Sequence, residues 1–91
     1  MIPKSFELLG EKHKVSIVTK VDKEGNEGEW DPNKNVIKIL RSLDKERREQ
    51  RYYHELFHCM LEHMGYMHLS NDEVFVDRMA KALHQVNKTS I

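Results

Sequence analysis

Cysteine and proline are scarce in this sequence, and no long apolar run occurs in it. Cys59 is the only cysteine, so no intrachain disulfide can form and nothing indicates an oxidising compartment. No stretch approaches the roughly 20 apolar residues of a membrane-spanning helix. The first residues, Met1 to Phe6, lack the apolar core of a signal peptide. We therefore expect a cytoplasmic protein with no membrane partner, in which Cys59 is a small buried apolar side chain.

An excess of charge of either sign is also missing. The chain has 15 basic and 15 acidic side chains and a formal net charge of zero, so no basic field attracts nucleic acid. The most basic segment, residues 45–51, is interrupted by Glu46 and Glu49, which is typical of a solvated helix face. We expect no nucleic-acid partner, and the sequence leaves the oligomeric state open.

A chain of 91 residues can bury one modest core, which predicts a single domain over residues 1–91. Its first part, about residues 1–41, contains short β-branched or alternating segments that predict strands. These segments lie at residues 6–9, 15–19, 29–30 and 35–40. The turn signal Asp31-Pro32-Asn33 precedes the last of them. We predict a small antiparallel sheet.

The second part of the chain predicts two helices. Residues 45–64 contain neither glycine nor proline, so we predict a helix over about residues 42–65. Ser42 or Asp44 would cap its start, and Gly65 would end it. A second start signal at Ser70 predicts another helix over about residues 70–87. The predicted fold class is α+β, with the sheet packed on the two helices.

The segment His54-Glu55-Leu56-Phe57-His58 carries the chemistry of the first helix. Its two histidines are four residues apart, which places both imidazoles on one helix face, where they can reach one Zn²⁺. Glu55 projects from the flank of the same face and can act on a zinc-activated water as a general base. The pattern predicts a metal site with His54 and His58 as ligands and Glu55 as the catalytic residue.

A catalytic zinc site needs a third protein ligand, and the sequence offers two candidates. Glu73 and Asp77 share a face of the second helix, so Glu73 can bind the metal while Asp77 hydrogen-bonds the back of a ligating imidazole. His68, in the linker between the helices, is the competing ligand. The segment from Ser70 to Glu73 also fits a capping box, in which Glu73 would instead bind the Ser70 amide.

The two segments together resemble a known family. His54-Glu55-Leu56-Phe57-His58 followed by Glu73-Val74-Phe75-Val76-Asp77 is similar to the gluzincin class of zinc peptidases. Residues 46–53 and 76–80 also resemble ImmA/IrrE-like metallopeptidases and related minimal gluzincins. The resemblance implies one Zn²⁺ per chain on His54, His58 and Glu73, with Glu55 as general base. It also implies a peptide or protein substrate, a phage or mobile-element origin, and a cleft bordered by strand 35–40, which would pair with an extended peptide.

The remaining histidines have less definite expectations. Gluzincins often use a Tyr or His to polarise the scissile carbonyl, which makes Tyr66, His68 and His84 candidate oxyanion stabilisers. Ordinary surface roles are the simpler expectation for His13, His63 and His84.

Three functions are consistent with these residues. The first is a zinc-dependent endopeptidase that hydrolyses peptide bonds by zinc-activated water. The second is a zinc-binding regulatory or partner-binding module without peptidase activity. The third is a helical interaction protein in which the motif is accidental.

Overall fold

Four strands precede three helices in the computed structural model, which describes residues 2–91. The elements in chain order are β1 Ser5–Leu8, β2 Glu11–Val18, β3 Gly28–Asp31, β4 Val36–Leu40, α1 Lys45–His63, α2 Met67–Ser70 and α3 Glu73–Thr89. The predicted α+β class is confirmed.

The sheet is mixed, so the prediction of an antiparallel sheet is wrong. Its strand order is β1-β2-β4-β3. The β1–β2 and β3–β4 pairs are antiparallel, whereas β2 and β4 run parallel, with Val15 opposite Ile37 and Ile17 opposite Ile39. The cause is the position of the β3–β4 hairpin, which places β4 rather than β3 beside β2. Because Ile37 and Ile39 are fully buried, this arrangement covers the most apolar strand on both sides.

The strand order also changes which strand could bind a peptide. Strand β4 hydrogen-bonds to β2 and to β3, so it has no free edge and the predicted peptide pairing by strand 35–40 is wrong. Strand β3 lies at the edge of the sheet. A strand at an edge keeps a row of backbone groups free for another chain.

Helix α1 joins the sheet to the C-terminal half of the molecule. Asp44 caps its start, accepting a hydrogen bond from the Arg47 amide at 2.8 Å, and Gly65 follows its end with φ +85°. Both predicted end signals are confirmed. Helix α1 contacts β3, β4 and α3, and Tyr52 on α1 joins Ile37 and Ile39 in the core. The helix that carries the histidine motif therefore also packs directly on the sheet.

The second predicted helix begins later than expected. A short helix, α2, ends at Ser70, and α3 starts at Glu73. The Asp72 side chain caps α3 by accepting from the Phe75 amide at 3.1 Å. Ser70 is buried and is not the cap. The capping box between Ser70 and Glu73 is therefore wrong, and the Glu73 carboxylate is free for another role.

Several side chains differ from the expected exposure. His13 is fully buried and His84 is buried, so surface roles for these two residues are wrong. Cys59 is fully buried as predicted. Among residues 2–91, none of the helices combines the length and the apolarity that crossing a bilayer requires.

Candidate metal centre

His54 and His58 lie side by side in the middle of α1. Their ring centroids are 5.0 Å apart, and both side chains are largely buried. The spacing of four residues on a continuous helix produces this arrangement. The two rings therefore present their edges to the same space in front of α1.

Glu73 faces both rings from the start of α3. Its Oε2 lies 3.2 Å from His54 Nε2, and its Oε1 lies 3.1 Å from His58 Nε2. The Asp72 cap fixes the start of α3 and so fixes where the Glu73 side chain leaves the backbone. One carboxylate thus meets the same nitrogen of each imidazole.

The other nitrogen of His58 identifies its tautomer. His58 Nδ1 lies 2.8 Å from Ser70 Oγ, and that hydroxyl donates to Glu62 Oε2 at 2.8 Å. A hydroxyl has one proton, and an ionised carboxylate can only accept. Since the Ser70 proton points to Glu62, His58 Nδ1 must be the donor to Ser70. In the neutral ring, His58 Nε2 then presents a lone pair towards Glu73.

Glu62 and Ser70 were missed by the sequence reasoning. Trp30 Nε1 donates to the second oxygen of Glu62 at 3.2 Å, so the carboxylate is held from two sides. Glu62 is four residues after His58 on the same helix, which is a signal that could have indicated a supporting carboxylate. Ser70 gave no such signal, because only the turn formed by α2 brings it to His58.

The three side chains fit a divalent metal. A lone pair of His58 and an oxygen of Glu73 repel each other unless a proton or a cation lies between them. Two ligands at about 2.0–2.1 Å from a tetrahedral Zn²⁺ are roughly 3.3 Å apart. The separations of 3.1 and 3.2 Å, each to a different oxygen of Glu73, are close to that spacing. One ligand atom from each of His54, His58 and Glu73 lies within 4.8 Å of the other two.

Asp77 lies behind His54 but does not hydrogen-bond to it directly. The distance from Asp77 Oδ1 to His54 Nδ1 is 3.8 Å, which is beyond hydrogen-bond length. Its other oxygen accepts from Lys81 Nζ at 3.0 Å, and this hydrogen bond lowers the pKa of Asp77. The predicted hydrogen bond from Asp77 is thus replaced by a longer electrostatic contact.

Burial favours the neutral, metal-binding form of His54. Burial lowers the pKa of His54, and the charges of Arg51 and His58 lower it further, against the opposing effect of Glu73. A metal ligand must be a neutral imidazole. The surroundings of His54 therefore reduce the competition between protons and a metal.

Glu55 is a buried carboxylate with a single cationic neighbour among its hydrogen-bond partners. Glu55 is only 6% exposed. Burial raises the pKa of its carboxyl group, although the nearby charges of Arg51 and His58 partly oppose the rise. Arg51 Nη1 donates to Glu55 Oε2 at 3.3 Å, and Arg51 Nη2 lies 3.5 Å from Glu27 Oε1. A buried carboxylate whose pKa is raised is suited to exchange protons.

These residues line one cleft of about 790 Å³. Its walls include His54, Glu55 and His58 from α1, Glu73 from α3, and residues Gly28 to Trp30 of the edge strand. Gly28 permits a close approach, since a Cβ there would meet Arg51 Cγ at 2.7 Å. The cleft thus joins the candidate metal ligands to the edge of the sheet.

The structure does not bring the three candidate oxyanion stabilisers into the cleft. Tyr66 and His68 are exposed at the turn before α3, and neither lines the cleft. His84 is buried elsewhere, with its Nε2 3.2 Å from Glu49 Oε1 and its ring against Tyr53. Their positions give no support to a role beside a scissile carbonyl.

The resemblance to gluzincins rests on the sequence motifs alone. No family model, curated protein or solved structure matched this chain when it was compared with them.

Proposed function

We propose that this chain is a zinc-dependent endopeptidase, with His54, His58 and Glu73 as metal ligands and Glu55 as general base. One observation carries the proposal. The Nε2 atoms of both histidines face the two oxygens of Glu73 at 3.1 and 3.2 Å, while His58 Nδ1 is already bonded to Ser70. Three protein ligands leave one zinc position open, which is the arrangement of catalytic rather than structural zinc sites.

The chemistry follows from the residues around that open position. Zn²⁺ held there would polarise a carbonyl and acidify a water. Glu55 lines the same cleft, and its raised pKa suits it to accept a proton from the attacking water and return it to the leaving amine. Arg51 limits the orientations of the Glu55 carboxylate through the 3.3 Å hydrogen bond.

The edge strand supports a peptide as the substrate class. Residues Gly28 to Trp30 of β3 line the cleft, and β3 is paired only with β4 in the sheet. An extended peptide can add to such an edge through its backbone, whatever its side chains. Its carbonyls would then pass the mouth of the candidate metal centre.

One observation favours the alternative of a zinc-binding regulatory or partner-binding module. The Glu55 carboxylate is paired with Arg51, and an ion pair in a buried position can hold a carboxylate for structure rather than catalysis. In that case the metal would serve binding alone.

Replacement of Glu55 with Gln separates the two functions. We expect the zinc-loaded wild type to hydrolyse an unfolded probe such as labelled casein, and Glu55→Gln to keep one zinc at this centre but lose activity by about 100-fold or more. The matched control is Glu24→Gln at an exposed glutamate, which should leave the rate unchanged.

Three outcomes of this comparison discriminate between the hypotheses. Equal rates for wild type and Glu55→Gln would remove Glu55 from the mechanism. Zinc binding without activity in either protein would favour the regulatory module. Absence of zinc binding by the wild type would leave an accidental motif.

A further inference from the structure

Helix α1 carries a second pair of side chains of the types that can ligate a metal, displaced by five residues from the first pair. Cys59 and His63 are four residues apart, as His54 and His58 are, but they lie on the side of α1 that meets His13 of β2. His13 Nε2 is 3.2 Å from His63 Nε2, and Cys59 Sγ is 3.9 Å from His63 Nδ1. Ligand atoms of all three residues lie within 4.8 Å of one another.

The tautomers of both histidines follow from their backbone partners. His13 Nδ1 lies 3.0 Å from the Glu11 carbonyl oxygen, and His63 Nδ1 lies 3.1 Å from the Cys59 carbonyl oxygen. A carbonyl can only accept, so each Nδ1 carries the proton and each Nε2 of a neutral ring carries a lone pair. Metal-binding histidines commonly donate their second nitrogen to a carbonyl in this way.

The two lone pairs therefore point at each other. They are 3.2 Å apart, and the Glu11 carboxylate adds a third acceptor, with Oε2 2.9 Å from His63 Nε2. Three electron-rich atoms at such distances need a cation among them. A proton can bridge one pair of these atoms, whereas a metal ion can be coordinated by all of them.

The cluster is enclosed around His13 and Cys59, whereas Glu11 is exposed at its outer side. His13 and Cys59 are fully buried. Phe6 stacks on His13 with the ring centroids 5.1 Å apart, and Trp30 contacts His13 at 5.5 Å and His63 at 5.7 Å. An apolar shell of this kind excludes water from a metal site.

Cys59 provides the ligand that would distinguish a bound zinc ion from a proton shared between His13 and His63. Its sulfur is fully buried and lies 3.9 Å from the His63 ring. A coordinated metal deprotonates a thiol outright. Zinc ligands of the N and S types are roughly 3.5 Å apart, so the side chains need to draw together by on the order of 1 Å.

We propose that His13, Cys59 and His63 form a second, structural zinc site, with the Glu11 carboxylate as its fourth ligand. Four protein ligands close the coordination sphere, which suits structure rather than catalysis. The site would tie β2 to the C-terminal end of α1. A domain of 91 residues has a modest core, and small domains commonly add such a staple.

Cobalt(II) titration of the metal-free protein tests the proposal, because only the second site contains sulfur. We expect the wild type to bind two equivalents and to show the sulfur-to-cobalt charge-transfer absorption of a thiolate ligand. We call the site of His54, His58 and Glu73 the first centre. The His54→Ala/Glu73→Ala variant lacks this centre, so it should bind one equivalent of cobalt and retain the charge-transfer absorption. Adding Cys59→Ser should abolish the absorption.

Two further variants complete the experiment. In the background without the first centre, His63→Gln should weaken cobalt binding by more than the roughly 10–100-fold that loss of a supporting contact costs. His68→Gln, at an exposed histidine, should change neither the stoichiometry nor the spectrum of the wild type.

The result that overturns the proposal is a wild type without charge-transfer absorption at saturating cobalt, or binding of cobalt by the first-centre variant without sulfur ligation. If circular dichroism shows that a double variant is unfolded, the wild type and Cys59→Ser alone decide. Cys59→Ser must then lose the absorption and one equivalent of tight binding while keeping the other. Peptidase activity enters none of these measurements, so the proposed function and the second site can fail separately.

Discussion

His58 is held at its Nδ1 by a hydrogen bond to Ser70, and this distinguishes it from His54. Its Nδ1 lies 2.8 Å from Ser70 Oγ, whereas His54 Nδ1 is 3.8 Å from Asp77. The support of His58 extends through Ser70 to Glu62 and Trp30. A ligand fixed in this way keeps its lone pair directed at the metal and loses little freedom on binding.

Replacement of Ser70 with Ala should therefore weaken zinc binding at the first centre by about 10- to 100-fold. The change removes the acceptor of the His58 Nδ1 proton and the donor to Glu62. Competition with a zinc-sensitive dye would measure the loss, and Ser90→Ala, at an exposed serine, is the matched control. Equal affinities for Ser70→Ala and Ser90→Ala would show that the tautomer of His58 needs no support.

Glu55 should make the stability of the metal-free protein depend on pH. Burial raises its folded pKa above the ordinary value of 4.5, so the folded state binds more protons than the unfolded state just above pH 4.5. The contribution of Glu55 to the free energy of unfolding then decreases as the pH rises through this window. Glu55→Gln carries no such charge, so it should gain stability relative to wild type from pH 4 towards neutrality.

Urea denaturation of the metal-free proteins at a series of pH values would measure this difference. Glu24→Gln should follow the wild type in parallel, because Glu24 is exposed in both states. A Glu55→Gln curve parallel to wild type over the same range would contradict the burial argument.

At the scale of elements, the N-terminus of α3 positions Glu73, the proposed third ligand. The sequence motif predicted Glu73 correctly as a neighbour of both histidines, because the spacing of Glu73 and Asp77 is local to one helix. It could not predict that Asp72 rather than Ser70 caps α3, since both residue types are good caps. Only the turn of α2 decides, by burying Ser70 beside His58.

The order of zinc affinities among four variants should follow the distances of the mutated side chains from the His54 and His58 imidazoles. Glu73→Ala removes a carboxylate that faces both rings and should weaken zinc binding most, followed by Ser70→Ala. Asp77→Ala should have a smaller effect, because Asp77 is 3.8 Å from His54 and is shared with Lys81. His68→Ala should leave the affinity nearly unchanged. Loss of zinc in His68→Ala with retention in Glu73→Ala would contradict the assignment of the third ligand.

The sheet shows where local patterns stop being informative. All four strands were predicted near their observed positions, because β-branched segments and turn residues are local signals. The parallel pairing of β2 with β4 was not predicted. The order of the strands depends on how the two hairpins pack together to bury Ile37 and Ile39. The same limit applies to His13, which is buried against α1 through its contact with His63, 50 positions away in the chain.

At the scale of the whole molecule, the two candidate sites connect different elements of the fold. The first would join α1 to α3 through His58 and Glu73, and the second would join β2 to α1 through His13 and His63. Trp30 lies between them, because it donates to Glu62 on one side and contacts both His13 and His63 on the other. Metal binding should consequently stabilise the entire fold rather than one end of it.

Removal of zinc should lower the thermal midpoint substantially. A ligand present at 1,000 times its dissociation constant, and bound only by the folded state, adds about 4 kcal/mol. In a domain of this size, about 1 kcal/mol shifts the midpoint by about 4–8 °C, so chelation should lower the midpoint of the zinc-loaded protein by more than about 15 °C. Calorimetry with and without chelator would measure the shift. Glu73→Ala and Cys59→Ser should each retain part of it, and the double variant should show almost none, because each change removes one of the two links. A wild-type midpoint that is the same with and without chelator would show that neither site binds zinc tightly enough to hold these elements together.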